Sequence, residues 1–115
     1  QDGDPLGGNI LVSTDSNMEV STIPNIASDH IGNRVITWVD NRNGKCNVFA
    51  QRFLADGSTV GGNFQVDPDT SLSPSLHPTI GMDSVGNFII CWEEAGNIYA
   101  QRFHANGMQK FQTTL

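Results

Sequence analysis

The chain has no long apolar run. Nothing in it approaches the roughly 20 consecutive apolar residues of a membrane-spanning helix, and no basic amphipathic stretch suits a membrane surface. Positive charge is scarce: six Lys and Arg stand against twelve Asp and Glu, for a net charge of −6. An acidic surface repels phosphate backbones, so nucleic acid is not the expected partner. Runs of good helix formers are short, because Gly and β-branched residues keep interrupting them. The motifs G-x-S-x-G and H-E-x-x-H and a phosphate-binding glycine loop are all missing. Glu93 and Glu94 are adjacent and would face opposite ways on a strand, which makes a poor acid/base pair. The expectation is therefore a protein that is not an enzyme. There are only two cysteines, Cys46 and Cys91. They fall at different points of the repeat described below, so a disulfide within or between chains stays open.

Charged residues are few, at 16%, but the 37% hydrophobic content is too high for a disordered chain. The length of 115 residues fits one ordinary domain with a modest core. No signal peptide is expected within these residues. The chain opens on Gln1 rather than Met, which fits processing from a longer precursor and an expected location outside the cell or on its surface.

Glycine (12) and proline (5) are plentiful, and Asn, Asp, Ser and Thr surround them. This is the chemistry of short strands joined by tight turns. The chain also repeats itself. At a spacing of 54, GGNILV (7–12) returns as GGNFQV (61–66), Pro24 as Pro78, Asp29, Gly32 and Asn33 as Asp83, Gly86 and Asn87, and Trp38 as Trp92. After the tryptophans the spacing drops to 50, and NVFAQRFLADG (47–57) returns as NIYAQRFHANG (97–107). The first copy holds four extra residues within DNRNGKCN. They fall at a turn, where no packed element must change register.

Four strands are expected in each copy. NILVST and NFQV open the two copies. PNIAS and PTIGM follow, with proline at a tolerated first position. RVITWVD and FIICWEE come next and are apolar on successive positions, as strands buried on both faces are. CNVFAQRF and NIYAQRF close the copies. Four short antiparallel strands in about 50 residues are the signature of a β-propeller blade. The fold expected is all-β: a single two-repeat domain of two four-stranded antiparallel propeller-like blades plus a surplus terminal strand. Repeat 1 covers about 7–60 and repeat 2 about 61–107, and 108–115 are a partial third-repeat strand.

The series P-x-I-x-x-D-x-x-G-N, W-x-D-x-R and N-[IV]-[YF]-A-Q-R-F-x-A-[DN]-G resembles repeats of large secreted bacterial proteins. What that resemblance implies is a propeller blade, not a ligand. It covers almost the whole chain. The second copy departs from it, with Glu94 where Asp40 stands and no counterpart of Arg42.

Two blades do not close a propeller, which usually has four to eight. Open edges and apolar faces invite pairing with another chain. The expected partner is thus the protein itself, through strand or blade exchange that yields a ring or an extracellular filament. Ile10, Leu11 and Val12 at one end and Phe111, Thr113 and Leu115 at the other are the expected assembly residues. A carbohydrate-binding lectin binding extracellular glycans is the alternative, and a fragment of a large adhesin is a third reading.

Single residues admit two readings each. Trp38 and Trp92 suit stacking on a sugar, but their place in the most apolar strands favours core packing. Arg52 and Arg102 would hold a carboxylate or a sugar hydroxyl; a cross-strand pair with Asp40 and Glu94 is the simpler use. Gln51 and Gln101 would bond a neighbouring strand's backbone or a ligand. Asp2, Asp4, Asp67 and Asp69 are weak calcium candidates that fit no twelve-residue calcium loop, so turn chemistry is preferred. His30, His77 and His104 are too scattered for zinc, and no other cofactor is expected.

Overall fold

The computed structural model describes residues 6–14, 21–68, 72–107 and 109–114; for Ser21, Thr22 and 109–114 it describes the backbone alone. The described chain is all-β, with no helix. The first sheet runs β1 (Ser21–Ser28), β2 (Arg34–Asp40), β3 (Asn47–Phe53) and β4 (Thr59–Gln65). The second runs β5 (Ser75–Met82), β6 (Phe88–Glu94), β7 (Asn97–Phe103) and β8 (Gln109–Thr114). Each is an antiparallel meander in chain order, and neither closes on itself.

Two expectations about the strands need correction. Residues 9–14 form no strand, whereas the first three residues of NFQV end β4 and finish the first sheet. The tail is likewise not surplus. Residues Gln109–Thr114 pair with β7 as β4 pairs with β3, Ala100 opposite Thr113 matching Ala50 opposite Phe64. The reason is shared: β3 and β7 each have a second free edge after pairing with β2 and β6, and the next segment of chain fills it.

The turns follow from the repeated polar residues. Asp29 accepts the N–H groups of Ile31 and Asn33 at 3.0 Å and the Asn33 side-chain amide at 3.0 Å. Asp83 does the same with Val85 and Asn87. Gly32 and Gly86 sit in these turns at φ +95°, which L side chains rarely adopt. Asn33 then accepts the Ala55 N–H at 3.1 Å, and Asn87 accepts Ala105 N–H at 3.0 Å. The D-x-x-G-N and A-[DN]-G motifs are therefore two turns at one end of a sheet, tied by one asparagine.

Each first strand also bulges. Ile23 and His77, one repeat apart, hold φ of 56° and 54° just before Pro24 and Pro78, where the register shifts against β2 and β6.

The two sheets lie face to face. Val35, Val39, Val48 and Ala50 from the first meet Phe88, Ile90, Trp92 and Phe103 from the second. Phe64 meets Phe103 edge-on at 5.7 Å, and Phe88 stacks on Phe103 at 4.7 Å. The connection from β4 to β5 is held by buried Asp67. It accepts Val48 N–H and the Asn47 amide at 2.9 Å and the Ser75 hydroxyl at 2.5 Å. Its oxygens are occupied by the chain itself, so Asp67 is a tie between sheets. Asp2, Asp4 and Asp69 lie outside the described residues.

Candidate functional site

The buried polar motif of the first sheet is W-x-D-x-R. Asp40 is fully buried and accepts the Trp38 indole N–H at 2.9 Å. Arg42 approaches it through Nε and Nη2, the latter at 2.7 Å. The guanidinium also lies 4.0 Å over the Phe49 ring and donates to Asn63. The cation on Asp40 is thus Arg42, not Arg52. Asp40 stands opposite Asn47, whereas Arg52 stands opposite Val35, several residues along the strand and on the other face. Glu94 likewise stands opposite Asn97, while Arg102 stands opposite Ile89.

Trp38 and Trp92 are 3% and 1% exposed. Neither offers a ring face to a sugar. Trp92 stacks on Tyr99 instead. Gln51 and Gln101 are buried as well. Gln51 donates to the Gly61 carbonyl at 2.9 Å and accepts the Asn63 amide at 2.8 Å, bridging the bulge where β4 leaves the ladder. Gln101 donates to the Arg102 carbonyl. Cys46 and Cys91 are free thiols; burial pushes the Cys91 thiol up from its ordinary value.

Of the residues expected at the assembly ends, Ile10 and Leu11 are exposed and Val12 half-buried. The Val12 carbonyl accepts the Asn63 amide at 2.9 Å, which places this segment on the outer side of the first sheet. Phe111 and Thr113 lie in β8, and Leu115 lies outside the described residues.

The histidines do not converge. His30 contacts the Ser84 carbonyl through its backbone N–H and its Nδ1. His77 pairs with Glu93 at 3.0 Å, on the surface. His104 is exposed. Among the described residues no group of three or more His, Cys, Asp or Glu is placed to hold a metal.

The feature with functional content is a difference between equivalent faces. One face of the first sheet is covered by the second sheet, and among the described residues no sheet covers its counterpart on the second. Val48 is 0% exposed, and its counterpart Ile98 is 43% exposed. Val35 and Thr37 are buried, while Ile89 and Cys91 are half-buried. Arg52 is half-buried and donates to the Ala105 carbonyl at 2.8 Å, across the boundary between sheets. Burial lowers its guanidinium from the usual value, yet it stays a cation at physiological pH. Arg102 is exposed, and its side chain has no hydrogen bond among the described residues.

Two clefts repeat this difference. A cleft of about 150 Å³ lies between the turn ends of the sheets. Asp29, Asn33, Val35, Arg52 and Phe53 line one wall, and Met82, Val85, Phe88 and Ala105 line the other. On the second sheet a cleft of about 320 Å³ is lined by Asp83, Asn87, Ile89, Arg102 and Phe103. Those five are the repeat counterparts of the first wall. The second cleft is the first with one wall missing.

The repeat itself was legible in the sequence, but this asymmetry was not. The one signal was FIICWEE, where Glu93 replaces Val39 on the side that the second sheet leaves open. No family model, curated protein or solved structure matches the chain. No helix among the described residues is long and apolar enough to cross a membrane.

Proposed function

We propose that this chain is a non-enzymatic β-repeat module that assembles with other copies of itself, each sheet acting as a propeller-type blade. The observation that carries the reading is the Arg52 to Ala105 contact within the chain, set against the exposed Arg102 in the same place one repeat later. The covered face shows how a sheet of this kind is packed, and the uncovered one presents the same backbone frame and the same cation. Heterologous contact of this type closes a ring or extends a filament. The likeness of the repeats to those of large secreted bacterial proteins supports a place outside the cell or on its surface. Sedimentation velocity over a dilution series tests the reading: species larger than one chain grow in with concentration. One folded monomeric species throughout overturns it.

Carbohydrate binding draws on Arg102 beside its open cleft, since the tryptophans are buried. Glycan-array hits that vanish with Arg102→Ala would establish that reading.

A further inference from the structure

Inside the chain, the turn end of the first sheet is closed by two turns of the second. Val85 and Ala105 form part of the wall facing Val35 and Arg52. Of the polar contacts that fix the approach, two come from groups the second sheet repeats: Arg52 donates to the Ala105 carbonyl, and the His30 N–H donates to the Ser84 carbonyl at 3.3 Å. The Asn25 amide on the Pro78 carbonyl and the His30 ring on the Ser84 carbonyl have Thr79 and Ser84 in their place one repeat on. Moved on by one repeat, the donors become Arg102 and the Ser84 N–H. The acceptors become the carbonyls of Ala55 and His30, and the covering side chain becomes Ile31 in place of Val85. Both halves of this second contact are accessible. Ile31 is 61% exposed, Ala55 and His30 are exposed, and Arg102 stands over the open cleft.

We propose that this cleft is the docking surface for a second copy of the chain, which enters with its Ile31 and Ala55 turns. The proposal rests on the self-assembly reading and names the surface that carries it. The incoming Ile31 covers Ile89, the Ala55 carbonyl accepts from Arg102, and the His30 carbonyl accepts from Ser84.

Two further observations confine the contact to the turn end. Glu93 occupies the far end of the open face, where Val39 is buried in the first sheet. The opposite face of the first sheet, with Trp38, Phe49 and Gln51, is already buried. The contact is therefore small, and assembly is reversible and concentration-dependent. It is also heterologous, because each copy gives one surface and receives with another.

The test uses two surface variants of the full chain, Arg102→Glu and Ile31→Glu, checked for native circular dichroism and examined by sedimentation velocity. Each alone needs at least about tenfold higher concentration than the parent to associate. Mixed in equal amounts, they form a one-to-one pair and nothing larger, because each supplies the surface the other has lost. If the parent associates but either variant matches it, or the mixture stays monomeric, the surface is wrong while self-assembly stands. A parent that stays monomeric throughout overturns both.

Discussion

Trp38 donates its indole N–H to the Asp40 carboxylate at 2.9 Å, whereas Trp92, buried in the same place of the second sheet, finds no acceptor among the described residues. Glu94 replaces Asp40, and its longer side chain instead reaches within 3.1 Å of the Ser75 hydroxyl, whose single proton it shares with Asp67. The same ring thus sits in two polar environments, one satisfied and one not.

This pair makes a controlled comparison. Trp38→Phe and Trp92→Phe remove similar volume from similar surroundings. Only Trp38→Phe also removes a hydrogen bond to a buried carboxylate, worth roughly 1.5–3 kcal/mol. Urea unfolding should show Trp38→Phe to be the more destabilising by about that margin. Equal losses would mean that the indole N–H of Trp38 contributes nothing.

The arginines separate in the same way. Arg42→Ala strands the buried Asp40 carboxylate and uncovers the Phe49 ring. A loss of about 3 kcal/mol or more is expected, as for breaking a buried pair. Arg52→Ala gives up one hydrogen bond to an exposed carbonyl and should cost about 1 kcal/mol. Denaturation midpoints of the two variants decide whether Arg42 is the structural cation.

Much of this was readable from residue order, and the misreadings have physical causes. A repeat is cyclic, so it gives the period of the fold but not its phase. GGNILV and GGNFQV match well, yet one finishes a sheet and the other forms no strand. The alternation of β2 and β3 was clear, but strand periodicity does not say which of two arginines meets Asp40. Arg42 does so from the turn after β2, where Asp40 also accepts its backbone N–H. The asparagine clamps at Asn33 and Asn87 left a signal, the repeated G-N. Their partners lie 22 and 18 residues away across the sheet, beyond any local pattern. The bulges left none, because Ile23 is β-branched and a genuine outlier at positive φ, and histidine, although enriched there, adopts it too rarely for His77 alone to mark a bulge.

That bulge yields a stabilising substitution. Ile23 is β-branched, precedes a proline, has φ of 56° and is exposed. Left-handed backbone costs such a residue roughly 1–2 kcal/mol, and glycine is free of that cost but loses more chain entropy on folding. Ile23→Gly should therefore raise stability by about 0.5–1 kcal/mol. His77→Gly should gain less, because it also loses the Glu93 contact. A lower melting temperature for Ile23→Gly would count against strain at this position.

The turn carboxylates tie the stability of the fold to pH. For Asp29, partial burial pushes the carboxyl up, but the Asn33 amide and the N–H groups of the turn outweigh it and hold it below its ordinary value. Asp83 is lowered chiefly by the Asn87 amide, and Asp56 by the Ser58 hydroxyl and N–H. Each is easier to ionise folded than unfolded. Their contribution is thus fully present above the ordinary carboxylate value and is lost as pH falls through the lowered folded values. The melting temperature should be insensitive to these groups down to about pH 5 and decline below about pH 4. In an Asn33→Ala, Asn87→Ala double variant the two largest donors to Asp29 and Asp83 are gone, so the protein starts less stable and its acid decline is shallower. A decline as steep as the parent's would show that other carboxylates govern acid unfolding.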